Sequence, residues 1–189
     1  MAQQEITAVI LAGGLATRLG GVDKGLQPLF GDPLVAHVLQ RLRPQVESVL
    51  INCNRNAERY AGFGCPLVPD RIADFPGPLA GLHAAFEAAA TPLVLTVPCD
   101  APFLPADLAA RLAAALADGD AAVAASGRRE PVFALYRRSL LPRLETFLTA
   151  GGRKVGQWQA ELDCRTADFS DQPEAFRNLN SADDWPSAL

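Results

Sequence analysis

Short aliphatic runs alternate with amphipathic stretches along the first half of this chain. Ile6 to Leu11, Ser48 to Asn52 and Leu93 to Val97 are of strand length, rich in β-branched and aliphatic residues, and predict buried strands. Between them, Leu34 to Leu42 and Leu79 to Ala89 read as helices. Strands and helices taken in that order imply parallel βαβ units and hence an α/β fold. Further on, Ala106 to Ala117 carries Leu108, Leu112 and Leu116 at four-residue steps among alanines, which predicts a core helix with a narrow aliphatic seam, not a binding surface. Pro131 to Arg137, a helix from Ser139 to Leu148, and short apolar pieces near Ala167 and Leu179 complete the sheet and its cover, the pattern leaving strand direction open there. Ser181 and Asp184 have the spacing of a capping-box variant opening a short last helix. The alanine-rich segments are a local bias, with no period that would suggest a solenoid.

Composition narrows this picture. With 189 residues and 49% hydrophobic content, residues 1–189 suit a single domain with a real core. No apolar run approaches the roughly 20 residues needed to span a bilayer, and none has a basic amphipathic face, so no membrane role is expected. The N-terminus lacks a basic segment followed by an apolar core and cleavage site, which predicts a cytoplasmic protein. Cys53, Cys65, Cys99 and Cys164 form no Cys-x-x-Cys pair, which argues against structural zinc, a redox dithiol and disulfides. A net charge of −4 and a pI near 5.2 argue against nucleic-acid binding. That average conceals segregation: residues 128–154 carry seven basic and two acidic side chains, and residues 155–189 two basic and seven acidic.

The candidate chemistry begins at Leu11 to Gly25, LAGGLATRLGGVDKG, directly after the first aliphatic run. Gly13 and Gly14 let the backbone turn and face an anion with its N–H groups, while Arg18 and Lys24 supply a guanidinium fork and a point charge. The dinucleotide fingerprint fails because Leu15 follows the glycine pair, and the Walker-type loop fails because Gly25 follows Lys24. A strand ending in Gly-Gly is also an ordinary strand-to-loop junction, and this stretch alone leaves both readings open. Pro98, Cys99, Asp100, Ala101 and Pro102 close the run at Leu93 to Val97, placing a carboxylate where open α/β sheets keep their ligands. Mg²⁺ takes one or two carboxylates and completes its octahedron with phosphates and water, which makes Asp100 a candidate ligand; capping the next turn is the alternative.

Three further stretches are candidates for a second substrate. In Asp70 to Gly81, the residues Pro76, Gly77, Pro78 and Gly81 bracket a helix start whose N–H groups suit a phosphate or a carbonyl edge, although Pro-Gly-Pro is also routine helix punctuation. Arg128, Arg129, Arg137, Arg138, Arg143, Arg153 and Lys154 form a landing area for an anion or a solvated face balanced by the acidic tail. Arg153 and Lys154 are the better candidates, since they follow Gly151 and Gly152 and precede a short helix. Asn178 and Asn180 alternate on a strand-like piece, with both amides on one side. His37 and His83 lie in predicted helices without a partner carboxylate or cysteine nearby in sequence, which points to core or surface roles.

LAGGLATRLGGVDKGL, PDRIADFPGPLAGL, PCDAPFLP and FRNLN, in this order and at these separations, resemble the molybdenum cofactor guanylyltransferases of the MobA family from about Ile6 to Asn180. The first segment is shared by nucleotidyltransferases at large; GGVDKGL and DFPGPLAG are narrower, and Asn178 and Asn180 agree. The resemblance implies a Rossmann-like three-layer α/β/α sandwich of the nucleotide-diphospho-sugar transferase type, with a mostly parallel sheet. It implies that Leu11, Ala12, Gly13, Lys24, Asn52, Asp70 and Asp100 contact GTP, that Asp100 holds Mg²⁺ (or Mn²⁺), and that Arg18, Lys24 and Asp100 carry catalysis. Gly77, Pro78, Arg153, Lys154, Asn178 and Asn180 are then the candidates for the pterin substrate, molybdenum-molybdopterin. It implies transient contacts with other cofactor-biosynthesis proteins or a recipient molybdoenzyme chaperone. Leu19 stands where the family usually has Met and Ala16 where Ser is common; the first keeps volume and the second removes at most one phosphate hydrogen bond. The expected reaction is attack of the pterin phosphate on the α-phosphorus of GTP. The alternatives are a nucleotidyltransferase with another base or acceptor, such as CTP on the pterin or a sugar phosphate, and a non-catalytic nucleotide or cofactor carrier.

Overall fold

The computed structural model describes residues 5–13, 23–72 and 77–179. The first aliphatic run forms β1 (Ile6–Leu11), and a small hairpin of β2 (Pro28–Leu29) and β3 (Asp32–Pro33) leads into α1 (Leu34–Leu42). β4 (Ser48–Asn52), α2 (Ala57–Ala61) and β5 (Leu67–Val68) follow. Next come α3 (Pro78–Ala88), β6 (Leu93–Pro98), α4 (Leu108–Leu116), β7 (Ala121–Ala125) and β8 (Arg129–Arg137). α5 (Leu141–Thr149), α6 (Val155–Ala160) and β9 (Cys164–Asp168) end the regular structure among the described residues.

The main sheet runs β5-β4-β1-β6-β8-β7-β9, and β8, flanked by antiparallel partners, is the one strand reversed in it. This settles the direction that the sequence leaves open. Strand alternation builds the two outer layers. Ile6, Ala8 and Ile10 of β1, with Val49 and Ile51 of β4 and Leu95 and Val97 of β6, pack against α1 and α4. Val9, Leu50 and Val94 point the other way, into a cluster with Leu79, Leu82 and Phe86 of α3, Leu144 and Leu148 of α5 and Trp158 of α6. The result is the expected three-layer α/β/α sandwich.

Some expectations are corrected. β7 is a strand that the sequence reading does not contain, and the expected helix Ala106 to Ala117 is shortened to Leu108–Leu116. The piece around Leu179 is irregular backbone after a short 3₁₀ turn, not part of the sheet; Leu179 packs with Leu29 and Leu34 instead. The capping box at Ser181 and Asp184 lies outside the described residues.

From β1 the chain moves to β4 and then β5 on one side, and later crosses to β6 on the other side of β1. That reversal opens a crevice at the carboxyl ends of β1 and β6, the place where open α/β sheets bind ligands. The register sets Leu11 beside both Asn52 and Pro98, so three strands end level with one another.

Candidate active site

A cavity of about 290 Å³ lies above those three strand ends. It is lined by Leu11, Ala12, Gly13 and Asn52, by Pro98, Cys99 and Asp100, and by Asp23 with Lys24. Gly13 is there because of a close approach: a Cβ would sit 2.8 Å from both Asn52 Oδ1 and Asn54 Nδ2. Lys24 opens a 3₁₀ turn (Lys24–Leu26) and its Nζ lies 3.4 Å from Asp100 Oδ2. Asp100 is 7% exposed. Burial pushes its carboxyl above the usual carboxylate range, and the Lys24 ammonium draws it back only in part. A buried carboxylate of this kind, beside a cation and facing an open cavity, is suited to a ligand that brings in further positive charge.

A network of amides holds the rim. Asn52 Nδ2 donates to Val68 O at 2.9 Å and to Asp70 Oδ1 at 2.8 Å, and Asn54 Nδ2 donates to Asp70 Oδ2 at 2.7 Å. Asn54 also accepts from the Asp70 backbone N–H at 2.8 Å and donates to Gly13 O at 3.3 Å. Asp70 is thereby fixed against Asn52, although it does not itself line the cavity. Asn54 is absent from the sequence reading; the polar pair Asn52 and Asn54 flanking Cys53 at a strand end is the signal that could have raised it. A second carboxylate, Asp23, takes the Tyr60 hydroxyl on Oδ1 at 2.6 Å and the Asn56 amide on Oδ2 at 2.9 Å. Neither donor is legible as a site residue in the sequence.

The other candidates divide. Gly77 and Pro78 line the cavity at the start of α3, where Gly77 has a φ of 143° that favours glycine. Asn178 also lines it, because the Leu179 N–H donates to Asp100 O at 2.8 Å and draws the tail across the site. Arg111 fastens the preceding loop through Asp171 at 2.8 Å and the Asp168 carbonyl. Arg153 and Lys154 do not line this cavity; Arg153 donates to Leu148 O and Gly152 O in the turn between α5 and α6. The rest of the basic stretch is largely engaged within the fold: Arg137 binds Gly119 O and Ala117 O, Arg138 binds Phe86 O, and Arg143 binds Asp120. Arg18, Gly14 and Asn180 lie outside the described residues.

His37 contacts Leu29 O at 2.8 Å, a structural role. His83 corrects the sequence reading, since carboxylates are nearby: Glu87, one turn on, lies 3.6 Å away and Glu145 of α5 lies 3.3 Å away. All four thiols are free. Among the described residues, no helix is long and apolar enough to cross a membrane. Nor does any group of three or more His, Cys, Asp or Glu side chains among them form a metal cluster.

Comparison with known proteins gives the family. The family model of the MobA-like NTP transferase domain matches residues 8–163. A protein of Methylibium petroleiphilum named molybdenum cofactor guanylyltransferase is 48% identical, covering 96% of this chain and 94% of its own length. One of the same name from Burkholderia ambifaria is 52% identical, covering 93% and 91%. Among solved structures, molybdopterin-guanine dinucleotide biosynthesis protein A from Archaeoglobus fulgidus superposes with a TM-score of 0.78 at 25% identity over 95% of this chain and 94% of that one. The Anaerococcus prevotii 4-diphosphocytidyl-2C-methyl-D-erythritol synthase shares the fold alone, with a TM-score of 0.72 at 12% identity over 96% and 93%. A switch-point cavity holding a lysine and a buried aspartate, on a chain related to these proteins along nearly its full length, places the protein in the molybdenum cofactor guanylyltransferase family of MobA-like nucleotidyltransferases.

Proposed function

We propose that the protein transfers the GMP part of GTP to the terminal phosphate of molybdenum-bearing molybdopterin, releasing pyrophosphate and forming the guanine dinucleotide cofactor. The observation that carries this reading is the Lys24 and Asp100 pair, 3.4 Å apart, in a cavity at the carboxyl ends of β1 and β6. An attacking phosphate oxygen bonds to the α-phosphorus while the bond to the β-phosphate breaks in line, so no covalent enzyme intermediate is needed. Negative charge on the transferring phosphate and on the departing pyrophosphate grows along that path, and a prepositioned ammonium neutralises it without reorganisation. Lys24 has that role here, and Arg18 is assigned to assist it.

The donor set suits a divalent ion, and Mg²⁺ above all. One buried carboxylate whose ionisation is disfavoured by burial, with no protein cluster around it among the described residues, matches an ion that keeps water and binds phosphate oxygens. Asp100 would hold it, and the ion would supply charge neutralisation at the phosphates. Leu11, Ala12, Gly13 and Asn52 receive the nucleoside and its phosphates, whose ribose hydroxyls and guanine N–H groups suit an amide acceptor, and Asp70 holds the Asn52 amide from behind. Gly77, Pro78 and Asn178, which line the same cavity, receive the pterin; one domain then carries both substrates.

Purified protein incubated with Mg²⁺, molybdenum-loaded molybdopterin and each of the four nucleoside triphosphates in turn tests this reading, with pyrophosphate and product mass as readouts. GTP-selective release with a guanine dinucleotide product is expected. Release with CTP in place of GTP would overturn the base assignment, and GTP binding without release would overturn the reaction.

A further inference from the structure

α2 is five residues long, and Tyr60 is its one buried side chain. The ring is fully enclosed, and its hydroxyl oxygen would lie 2.5 Å from a Cβ on Gly25, so it forms the floor under the turn that carries Lys24. That hydroxyl donates to Asp23 Oδ1, while Asn56, held at φ 53° just before the helix, donates to Oδ2. Burial, then the neighbouring Cys99 and Asp23, push the phenol far above its ordinary range, which keeps it a donor. Both oxygens of one carboxylate are thus engaged by neutral donors from a single short element. Asp23 directly precedes Lys24 and lines the same cavity. Left without those donors, a carboxylate one peptide away would draw the Lys24 ammonium toward itself, and in a half-buried site that attraction is several times stronger than in water.

We propose that Tyr60 is a positioning residue for the transfer reaction: with Asn56 it takes up both oxygens of Asp23, so that Asp23 does not compete with Asp100 and the triphosphate for the ammonium of Lys24. The inference rests on the reading that Lys24 meets the phosphates of GTP. Tyr60 itself touches no reacting atom, and its effect passes through Asp23.

The chain contains two lysines, Lys24 and Lys154, so amine labelling followed by mass spectrometry reads one against the other as an internal reference. Titrating Mg·GTP onto the full chain and following protection of Lys24 gives a binding midpoint with no pterin and no turnover. Tyr60→Phe is expected to raise that midpoint roughly tenfold, the scale of one hydrogen bond to a charged group. Asn56→Gly keeps the left-handed backbone, removes the amide, and should shift the midpoint in the same direction. Adding Asp23→Asn to Tyr60→Phe should bring it back to within about twofold of wild type, because the competing charge is gone. A merely structural Tyr60 would lower the melting temperature without moving the midpoint, or would leave the double variant as impaired as Tyr60→Phe. Either result, or a wild-type Lys24 that GTP does not protect, overturns the inference. Should Tyr60→Phe fail to fold, Asn56→Gly with and without Asp23→Asn decides it by the same criteria. Pyrophosphate release by the same proteins once molybdenum-loaded molybdopterin is added separates the two readings: protection of wild-type Lys24 by GTP without release in the presence of the pterin overturns the transfer reaction, while the midpoints still judge Tyr60.

Discussion

Gly81→Ala in α3 probes whether the nucleotide side of the cavity is as tightly set as the structure indicates. A Cβ built on Gly81 lies 2.5 Å from Asn52 Oδ1 and 2.5 Å from Leu11 Cδ2, closer than real Cβ contacts come. Asn52 has little room to yield, since its amide is tied to Val68 O and Asp70 Oδ1. Alanine in a helix interior ordinarily gains about 1 kcal/mol over glycine, whereas overpacking a well-filled site costs about 1–3 kcal/mol. The net loss is about 0–2 kcal/mol, and at about 2–4 °C per kcal/mol for a chain of this size the melting temperature should fall by a few degrees. Displacing Oδ1 of Asn52, a residue lining the cavity, should also weaken GTP binding, about tenfold if one hydrogen bond to the nucleotide is lost with it. Gly156→Ala in α6 is the control, because nothing lies within 4 Å of its Cβ and propensity alone should act. Differential scanning calorimetry and GTP titration calorimetry read both effects. A Gly81→Ala protein that gains stability like Gly156→Ala and binds GTP within twofold of wild type would refute the close packing of α3 on the ends of β1 and β4.

Asp100→Asn should abolish pyrophosphate release while leaving the ligand-free protein at least as stable as wild type at neutral pH. The sign follows from burial: the folded carboxyl binds its proton more readily than the unfolded group at 3.8, so its contribution to stability is full below that value and declines as pH rises through the raised folded value. Thermal melts at pH 4 and pH 7 check this, and a strongly destabilised Asp100→Asn at pH 7 would contradict it. By the same shift, the acid limb of the rate profile without saturating Mg²⁺ should lie above 3.8 and move down as the ion is added. Lys24→Ala should lose activity without unfolding, with a fall in melting temperature limited to the loss of its partly exposed ion pair with Asp100; normal turnover would remove it from the mechanism. Asn54→Ala should raise the GTP dissociation constant severalfold with less effect on kcat, because it frees Asp70 and the Gly13 carbonyl together; an unaltered constant would make that bridge purely structural.

What sequence could reveal here depended on whether a residue's state is set locally. β1, β4 and β6 are buried on both faces, so their aliphatic runs are nearly continuous and stand out. β7 is four alanines and a valine, a composition that disfavours a strand in isolation, and it becomes one because β8 and β9 pair on either side of it. The same division runs through the site. Asp100 stands just beyond a strand end and could be named from position alone, while Leu11 and Asn52, themselves at strand ends, are named through the family resemblance. The residues that hold them do their work across the fold: Asn54 reaches Gly13 41 positions away, and Tyr60 reaches Asp23 across 37. No local pattern encodes those pairings, because each needs the sheet to be assembled first. Asn178 is the intermediate case, raised in advance by its alternation with Asn180 and by the family resemblance; its place depends on Leu179 meeting the Asp100 carbonyl and on Arg111 fastening the loop before it. Substitutions at the strand ends should therefore remove a contact to substrate, while substitutions at Asn54, Tyr60 or Arg111 should leave every such contact in the chain and loosen its placement. That difference gives the second group its distinct signature: rescue by a compensating change in the partner that each one restrains.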